Sequence, residues 1–323
     1  MTATNNPSQP QSSPEEPVVS LRERYFKRLG IRPGQLDNNP TLSNLKVLVE
    51  AHLNTVPFDN LAQHGAVGGP AVLDVSTTAT KLLDRGRGGF CLELNGLFSV
   101  LLQELGYSVL RVPGHVYTAD GFFRDEPTHL FCIVGVPVDA HGDDGGQDNA
   151  HGQERRYFVD VGFGESPLEP LLYEMDTPFV TKEGMESRFV EEPTDETVIL
   201  QWQKEGSWAP RLKWDRRHAE LAFADSPTLT DFAPLLSNVQ QEDSNFSRKL
   251  VVCIISKDRK TTLAGNRLKL TTPRFGPERT VTVHEIDDIQ GLLETKFGMP
   301  LSETEGLDLD KSTKAPKEVW STF

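Results

Sequence analysis

The spacing of apolar residues changes near residue 107, and the change separates two kinds of predicted secondary structure. Before it, apolar residues recur every three or four positions in three runs, which begin near Leu21, Leu42 and Cys91. That period matches one face of an α-helix. Gly106 follows the third run, as glycine often does at the end of a helix. We therefore expect a helical layer over residues 18–106.

From residue 107 onward, short apolar or alternating runs replace the helical period, and Gly, Pro and Asp residues separate them. Six such runs precede residue 216: Val109–Val112, Val116–Tyr117, His129–Val136, Tyr157–Val161, Val198–Gln203 and Trp208–Trp214. Short apolar runs between turn residues are typical of strands in an antiparallel sheet. Residues 107–215 are thus predicted to form an antiparallel β unit of the size of a small barrel.

A polar, glycine-rich stretch over residues 139–156 interrupts the strand pattern and predicts a solvated loop. We expect its histidines, His141 and His151, to face solvent, because a mobile loop is a poor scaffold for ligands. Residues 216–323 contain four more strand-like runs and then a helix predicted over residues 286–297. This last part is expected to be a mixed α/β unit.

The composition limits the classes of partner. The 323-residue chain has a formal net charge of −14, which argues against nucleic-acid or anionic-membrane binding, since both need dense Lys and Arg. No apolar run approaches the roughly 18–20 residues that cross a bilayer. Residues 1–17 are polar and are expected to be a disordered tail, neither a signal nor a transit peptide. We assume a monomer.

The cysteines indicate a reducing compartment. Three cysteines provide neither a disulfide framework nor a CxxC metal pair, so we expect a cytoplasmic protein without a metal site. Cys132 and Cys253 lie in apolar, strand-like runs and are predicted to be core residues.

One stretch is basic in this acidic chain. Its cations are Arg248, Lys249, Lys257, Arg259, Lys260, Arg267, Lys269, Arg274 and Arg279. Two interpretations remain open: a surface that holds a polyanionic cofactor, or a solvated strand surface. We favour the solvated surface.

Cys91 stands in the most distinctive chemical context of the chain. It follows two glycines and Phe90, and it begins the third predicted helix. Unpaired N–H groups and the positive end of the helix dipole favour a thiolate at this position. The alternative is a buried structural cysteine in a glycine-rich turn. The context favours a nucleophile.

His129 and Asp160 are the predicted partners of this nucleophile. His129 begins an apolar run, on the same face as Phe131 and Ile133 if the run is a strand. Asp160 likewise sits in an apolar run, just before a glycine turn. A buried imidazole and a buried carboxyl group each need a hydrogen-bond partner, and pairing them satisfies both. We therefore predict a Cys91–His129–Asp160 triad.

Other assignments stay open at this point. His52 and His115 are alternative bases, and Asp84 and Asp120 are alternative orienting carboxylates. Taken singly, His129 could be a satisfied core histidine and Asp160 a turn cap. The triad explains more of these features with fewer assumptions.

The segments around these residues resemble the arylamine N-acetyltransferase family. The matching segments are Arg87-Gly88-Gly89-Phe90-Cys91 with Glu93-Leu94-Asn95-Gly96-Leu97-Phe98, then Thr128-His129-Leu130 and Asp160-Val161-Gly162-Phe163-Gly164. Val56-Pro57-Phe58-Asp59-Asn60 resembles a further family motif that usually has Glu at the position of Asp59. The resemblance covers most of residues 21–300.

The resemblance implies an α+β fold in three parts and a papain-like or transglutaminase-like cysteine site. The parts are an N-terminal helical bundle carrying the nucleophile (18–106), a central antiparallel β-barrel (107–215) and a C-terminal α/β lid (216–323). By residue matching, Cys91, His129 and Asp160 are again the triad. Phe58, Phe90 and Phe163 match residues that line the substrate pocket, ordinary aromatic core being the alternative.

The implied activity moves an acetyl group from acetyl-coenzyme A to an arylamine or arylhydrazine through an acyl-cysteine. Acyl-coenzyme A is then a co-substrate, and no cofactor is bound permanently. The tail and the 139–156 insertion are similar to those of filamentous-fungal members, some of which accept malonyl-coenzyme A. Malonyl transfer is therefore one alternative; a cysteine hydrolase and a non-catalytic binding protein are the others.

Overall fold

The computed structural model describes residues 19–118, 120–138, 154–192, 196–204, 206–242, 244–276 and 278–309. The predicted tail (1–17) and most of the predicted 139–156 loop lie outside these ranges. The α-helices are α1 Leu21–Leu29, α2 Leu42–Thr55, α3 Val75–Ala79, α4 Cys91–Glu104, α5 Arg216–Glu220, α6 Ala233–Gln240, α7 Asn245–Arg248, α8 Ile289–Phe297 and α9 Leu301–Thr304.

Local sequence explains where the first helices begin and end. The Ser20 side chain caps α1 in a capping box with Glu23, and Gly30 ends the helix in the left-handed conformation. Thr41 caps α2, which ends at Val56 in extended backbone before Pro57. These helices and α4 confirm the predicted helical runs. A turn of π-helix at Thr80–Asp84 follows α3 and was not predicted.

The strands form two antiparallel sheets. The strands are β1 Phe58–Asp59, β2 Ser108–Val116, β3 His129–Pro137, β4 Glu154–Val159, β5 Leu171–Leu172, β6 Phe179–Val180, β7 Glu186–Glu192, β8 Thr197–Lys204, β9 Ser207–Asp215, β10 Val251–Ile255, β11 Lys260–Ala264, β12 Arg267–Thr272 and β13 Thr280–Glu285. The larger sheet has eight strands in the order β5-β4-β3-β2-β9-β8-β7-β6, and the smaller has five in the order β1-β10-β11-β12-β13.

The larger sheet curls into a barrel-like layer around an aromatic interior. Phe131 packs 4.8 Å from both Phe158 and Trp214, measured between ring centroids. Phe189 lies 6.0 Å from Trp214 in the same cluster. These rings come from four different strands or their ends, so the interior ties the sheet together. The predicted antiparallel β unit is confirmed in this coarse form.

Several predicted strand boundaries were wrong. β2 continues through Pro113 and Gly114 without a turn, because these residues pair with β3 just where β2 shifts its partner to β9. β4 begins at Glu154, so the predicted loop cannot extend to residue 156. β4 also ends at Val159, which places Asp160 directly after the strand. Strands β5, β6 and β7 were not predicted.

The smaller sheet joins distant parts of the chain. Its strands β10 to β13 confirm the four predicted C-terminal runs, but its edge strand β1 comes from the predicted helical layer. Phe58 pairs with Cys253 and also bridges to Gly89. Leu293 and Phe297 of α8 pack on one face of this sheet.

The largest apolar cluster lies between the helices and both sheets, and α4 is at its centre. The N-terminus of α4, the first residue of β3 and the end of β4 meet at the edge of this cluster. Within the described part of the chain, no helix has the length and apolar character to cross a membrane.

Candidate active site

Cys91 is the first residue of α4 and is 2% exposed. Its Sγ atom lies 3.7 Å from the carbonyl oxygen of Thr128, the residue before β3. Phe90 stands at the N-cap in extended backbone, and its N–H donates to the Glu93 carboxylate over 3.3 Å. The helix start is thereby fixed, and the sulfur is held against the start of β3.

Glu93 belongs to a buried ion pair beneath this helix start. The Lys81 ammonium donates to both Glu93 carboxylate oxygens, over 2.8 and 2.9 Å. Burial raises the pKa of Glu93 above its ordinary value, and the charge of Asp59 adds to that effect. The first turn of α4 therefore rests on a charged support that the sequence did not reveal.

The two glycines before Phe90 are needed for close approach. A Cβ atom on Gly88 would overlap the carbonyl oxygen of Pro57, and one on Gly89 would lie 2.7 Å from a Glu93 carboxylate oxygen. Neither glycine has a positive φ. The glycines thus make room for the protein's own backbone and the supporting carboxylate.

His129 and Asp160 form the predicted buried pair. The Nε2 atom of His129 lies 2.8 Å from Oδ2 of Asp160, and both side chains are almost fully buried. Cys91 lies close to the same imidazole, since its charge is among the causes that raise the pKa of His129. The structure therefore brings together the three residues predicted as a triad.

The electrostatics of this cluster favour a protonated imidazole. Burial alone would lower the pKa of His129, but the charges of Asp160 and Cys91 and their hydrogen bonds raise it to about 10. The His129 ring therefore carries a proton at neutral pH, close to the Cys91 side chain.

Asn95 holds Asp160 in place, and sequence reasoning did not assign it this role. Its Nδ2 donates to Asp160 Oδ1 over 2.9 Å and to the Leu130 carbonyl over 2.6 Å, and its Oδ1 accepts from Val161 N–H. Asp160 Oδ1 also accepts from Gly162 N–H. The available signal was spacing: Asn95 follows Cys91 by four residues, one helical turn, on the same face of α4.

Gly162 lets this loop approach Cys91. A Cβ atom there would lie 2.8 Å from both the Cys91 Cα and the Asn95 Nδ2 atoms. Any larger residue would push the Asp160 loop away from α4. The glycine turn predicted after Asp160 thus has a packing reason.

The three predicted pocket phenylalanines have different surroundings. The Phe163 ring meets the His129 ring edge-on at 5.0 Å between centroids, and it is partly exposed. Phe58 is buried beside Gly164 of the same loop. Phe90 is 2% exposed at the N-cap of α4. Of the three, Phe163 alone combines direct ring contact with His129 and access to solvent.

A cavity of about 10 Å³ lies next to Asp160 and Phe163, with Trp202 and Arg211 on its far wall. The Arg211 guanidinium covers the Phe163 ring at 5.2 Å and the Trp202 ring at 4.3 Å. This volume holds about one water molecule. The protein therefore fills the space behind Phe163 almost completely.

A second buried charge cluster adjoins the site. Burial alone would raise the pKa of Glu165, but nearby cations, above all Lys260 and Arg211, lower it to about 2. Arg274 is 2% exposed and donates to the Ser166 carbonyl over 2.7 Å.

These positions correct one sequence interpretation. Lys260 and Arg274, with the equally buried Lys249, were assigned to a solvated strand surface, which is wrong for all three. Lys260 lies 3.4 Å from a Glu165 carboxylate oxygen, so an acidic partner remote in sequence accounts for its burial.

Both alternative bases and one of the alternative carboxylates, Asp84, have other partners. His52 is buried against Tyr25 and Phe98, and burial lowers its pKa to about 3. His115 lies within hydrogen-bonding distance of the Arg124 carbonyl at an exposed position. Asp84 forms an ion pair with Arg24. None of these contacts involves Cys91.

The other two cysteines of the chain lie in the protein core. Cys132 and Cys253 are buried, as predicted, and burial raises the pKa of Cys132 to about 12. Among the described residues, no group of three or more His, Cys, Asp or Glu side chains is arranged to hold a metal ion.

Comparisons with known proteins agree with this architecture. Residues 41–305 match the sequence model of a family described as N-acetyltransferase. The arylamine N-acetyltransferase of Mycolicibacterium smegmatis is 29% identical over 294 residues, covering 88% of this chain and 94% of that enzyme. A solved structure of the M. smegmatis enzyme has a TM-score of 0.72 at 26% identity, covering 92% of this chain and 99% of that one. The Mycobacterium marinum enzyme, solved in complex with CoA, has a TM-score of 0.70 at 25% identity, covering 89% of this chain and 95% of that one.

These matches define the class of the protein, which is an acyltransferase enzyme. Since the family model spans well over half of the sequence, the chain belongs to the arylamine N-acetyltransferase family. The family resemblance seen in the sequence is confirmed.

Proposed function

We propose that this enzyme transfers a short acyl group, with acetyl as the first choice, from acyl-coenzyme A to the nitrogen of an arylamine or arylhydrazine. The observation that carries the proposal is the 2.8 Å His129–Asp160 pair beside Cys91, a helix-start cysteine whose Sγ atom lies 3.7 Å from the carbonyl oxygen of Thr128, the residue before His129. The names of the relatives support the acceptor class, and the CoA complex of the M. marinum relative supports the donor.

In the first half-reaction, the Cys91 thiolate attacks the thioester carbonyl carbon of the donor. The carbonyl π electrons move to the oxygen, and backbone N–H groups at the start of α4 stabilise that charge. The carbon–sulfur bond to coenzyme A then breaks. The departing thiolate takes the proton of the His129 imidazolium, which leaves an acyl-Cys91 and a neutral imidazole.

In the second half-reaction, the amine nitrogen attacks the acyl-Cys91 carbonyl carbon. His129 accepts the N–H proton as the amide forms, and the Cys91 sulfur leaves as a thiolate. Asp160 fixes the ring orientation and stabilises the imidazolium. The thiolate–imidazolium pair of the resting enzyme is restored, so protons and electrons balance over the cycle.

The acceptor ring is proposed to lie against Phe163, with Phe58 and Phe90 shaping the apolar wall behind the acyl group. An arylamine suits such a site because it is largely unprotonated at neutral pH and its ring is apolar. We propose no permanently bound cofactor. We also propose that residues 18–106 supply the nucleophile, that residues 107–215 supply the base and the carboxylate, and that residues 216–323 form a lid.

Mass spectrometry of the intact protein tests this proposal. Acetyl-coenzyme A should add one acetyl group to the wild-type enzyme, an arylamine should remove it, and Cys91→Ala should abolish the adduct. Cys132→Ala, at a buried cysteine outside the cluster, is the matched control and should keep the adduct. An adduct that persists in Cys91→Ala would refute the mechanism.

The same assay separates the alternatives. A malonyltransferase would show a malonyl adduct that forms faster than the acetyl adduct in a panel of acetyl-, propionyl- and malonyl-coenzyme A. A cysteine hydrolase would lose its adduct to water at the same rate with or without arylamine. A binding protein would form none.

A further inference from the structure

The outer strand of the smaller sheet is exposed along its whole length. All six residues of β13, Thr280–Glu285, are exposed, including two β-branched apolar side chains, Val281 at 44% and Val283 at 55%. Among the described residues, β12 is its only strand partner. A long, exposed edge with apolar residues is a template for pairing with another strand.

The register shows which backbone groups point outward. The β12–β13 register continues to Asn266 and Ile286, where the Ile286 N–H donates to the Asn266 carbonyl over 2.8 Å. Hydrogen-bonded pairs alternate in an antiparallel ladder, so even-numbered residues of β13 direct their backbone toward β12. The N–H and C=O groups of Val281, Val283 and Glu285 consequently point away from the sheet.

The side chains on this edge are complementary to themselves. Arg279, Val281, Val283 and Glu285 share one face, in the order cation, apolar, apolar, anion. If a second copy pairs antiparallel about Thr282, each Val281 faces Val283 and each Arg279 faces Glu285. In this one register, opposite charges face each other, the valines face each other, and the outward N–H and C=O groups of the two strands are placed to pair.

Glu285 is suited to this contact. Its side chain is 74% exposed and reaches Arg267 of the neighbouring strand only at 3.8 Å. Arg279 is exposed beside Lys269, whose pKa it helps to lower. A carboxylate from a second copy would therefore enter a positively charged corner.

We propose that two copies of this chain associate through β13 about a two-fold axis at Thr282, joining the two five-stranded sheets into one of ten strands. An isologous contact of this kind is the simplest closed assembly. The strand pair is smaller than a standard protein interface, so we expect a dissociation constant on the order of tens of micromolar.

Charge reversal tests the register. Sedimentation equilibrium from about 1 to 500 µM should show a monomer–dimer equilibrium for the wild-type chain, a range chosen to bracket the weak affinity of a small interface. Arg279→Glu alone and Glu285→Arg alone should each raise the dissociation constant about tenfold or more, because like charges then face each other. The double variant should restore dimerisation.

Lys257→Glu and Asp258→Arg, exposed in the β10–β11 turn, are the matched charge controls and should leave the equilibrium unchanged. A wild-type chain that stays monomeric over the whole range overturns the proposal. So does a double variant no better than the single ones.

A cross-link provides an independent readout. Thr282 would face itself across the axis in a non-hydrogen-bonded pair, where Cα atoms are about 4.5 Å apart, within disulfide range. Thr282→Cys should thus form an intermolecular disulfide with oxidised glutathione, and Val281→Cys should do so far more slowly. Both variants carry Cys91→Ala, which removes the proposed reactive thiol, and Cys132 and Cys253 are buried, so the new thiol reports the contact. Equal rates for the two variants would contradict the two-fold position.

Discussion

Two of the charged pairs that the chain buries close to Cys91 are built differently. In the His129–Asp160 pair, both Asp160 oxygens accept hydrogen bonds, from His129, Asn95 and Gly162. In the Asp59–Arg87 pair, both side chains are fully buried, but their closest atoms are 3.5 Å apart.

The second pair leaves donors and an acceptor unused. Arg87 Nε and Nη2 and Asp59 Oδ2 have no hydrogen-bond partner among the described residues. A buried pair with complete hydrogen bonding is preorganised, whereas one with unpaired atoms mainly balances charge at a cost in desolvation. The first pair should therefore matter most for turnover and the second for folding. The following substitutions test that contrast.

Asp160→Asn should have the largest effect on activity. It keeps the shape but removes the charge that orients and stabilises the His129 imidazolium, so kcat should fall about 10³- to 10⁴-fold. The melting temperature should fall less than in Asp59→Asn, because a His129 without its partner can lose its proton, whereas Arg87 cannot. Single-turnover acylation beside a thermal melt measures both; a stability loss in proportion to the activity loss would contradict the assignment.

Asp59→Asn should mainly affect folding. It leaves the Arg87 guanidinium buried without a countercharge, which should lower the free energy of unfolding by about 3–5 kcal/mol. The folded fraction should retain its acylation rate per active site, measured by titration of Cys91. The control is Asp59→Leu with Arg87→Met, which removes both charges and should recover much of the stability in urea unfolding.

Asn95→Ala should reduce activity less than Asp160→Asn and more than Asp59→Asn. Loss of its hydrogen bonds to Asp160 frees that carboxylate, so kcat should drop about 10- to 100-fold with little change in KM. The pH profile should also shift, because His129 would lose part of the support for its charged form. Ser99→Ala, another buried polar residue of α4, is the control and should leave the pH profile in place. Parallel losses in both variants would indicate a merely structural role.

The smallest effect concerns pH. Since the pKa of His129 is raised to about 10, its imidazolium should persist at neutral pH, and alkylation of Cys91 should vary little between about pH 6.5 and 9. His129→Asn should make alkylation rise steeply with pH.

The raised pKa of His129 also predicts how stability depends on pH. The contribution of the His129–Asp160 pair to stability is complete below the ordinary pKa of histidine, about 6.5, and is lost as pH rises toward 10. Urea unfolding across this range, with His129→Asn as the control that lacks the titrating ring, measures that decline.

The sequence indicated the residues of the proposed triad better than it indicated the residues that support them. Cys91 and His129 begin regular elements, so periodicity located them. Asp160 follows its strand by one residue, a boundary that alternation cannot resolve. The edge strand Phe58–Asp59 was missed because two residues carry no period, and its partner lies almost 200 positions along the chain.

Supporting charges were harder still to predict. Lys81 reaches Glu93 from the turn of π-helix, and Lys260 reaches Glu165 from β11 of the five-stranded sheet. Such pairs depend on tertiary contacts between segments with no shared local pattern. Composition therefore indicated solvent exposure for cations that the fold buries.

The amide of Asn95 joins α4 to Leu130 in β3 and to Asp160 and Val161 just after β4, which has a consequence during biosynthesis. A ribosome releases Cys91 well before Asp160, so the nascent chain carries an ordinary thiol beside an unrestrained histidine. In the proposed mechanism, activation of the Cys91 sulfur then waits until the helical layer and the barrel-like sheet have docked. Electrophiles in the cell would thus meet a reactive cysteine only on fully folded molecules.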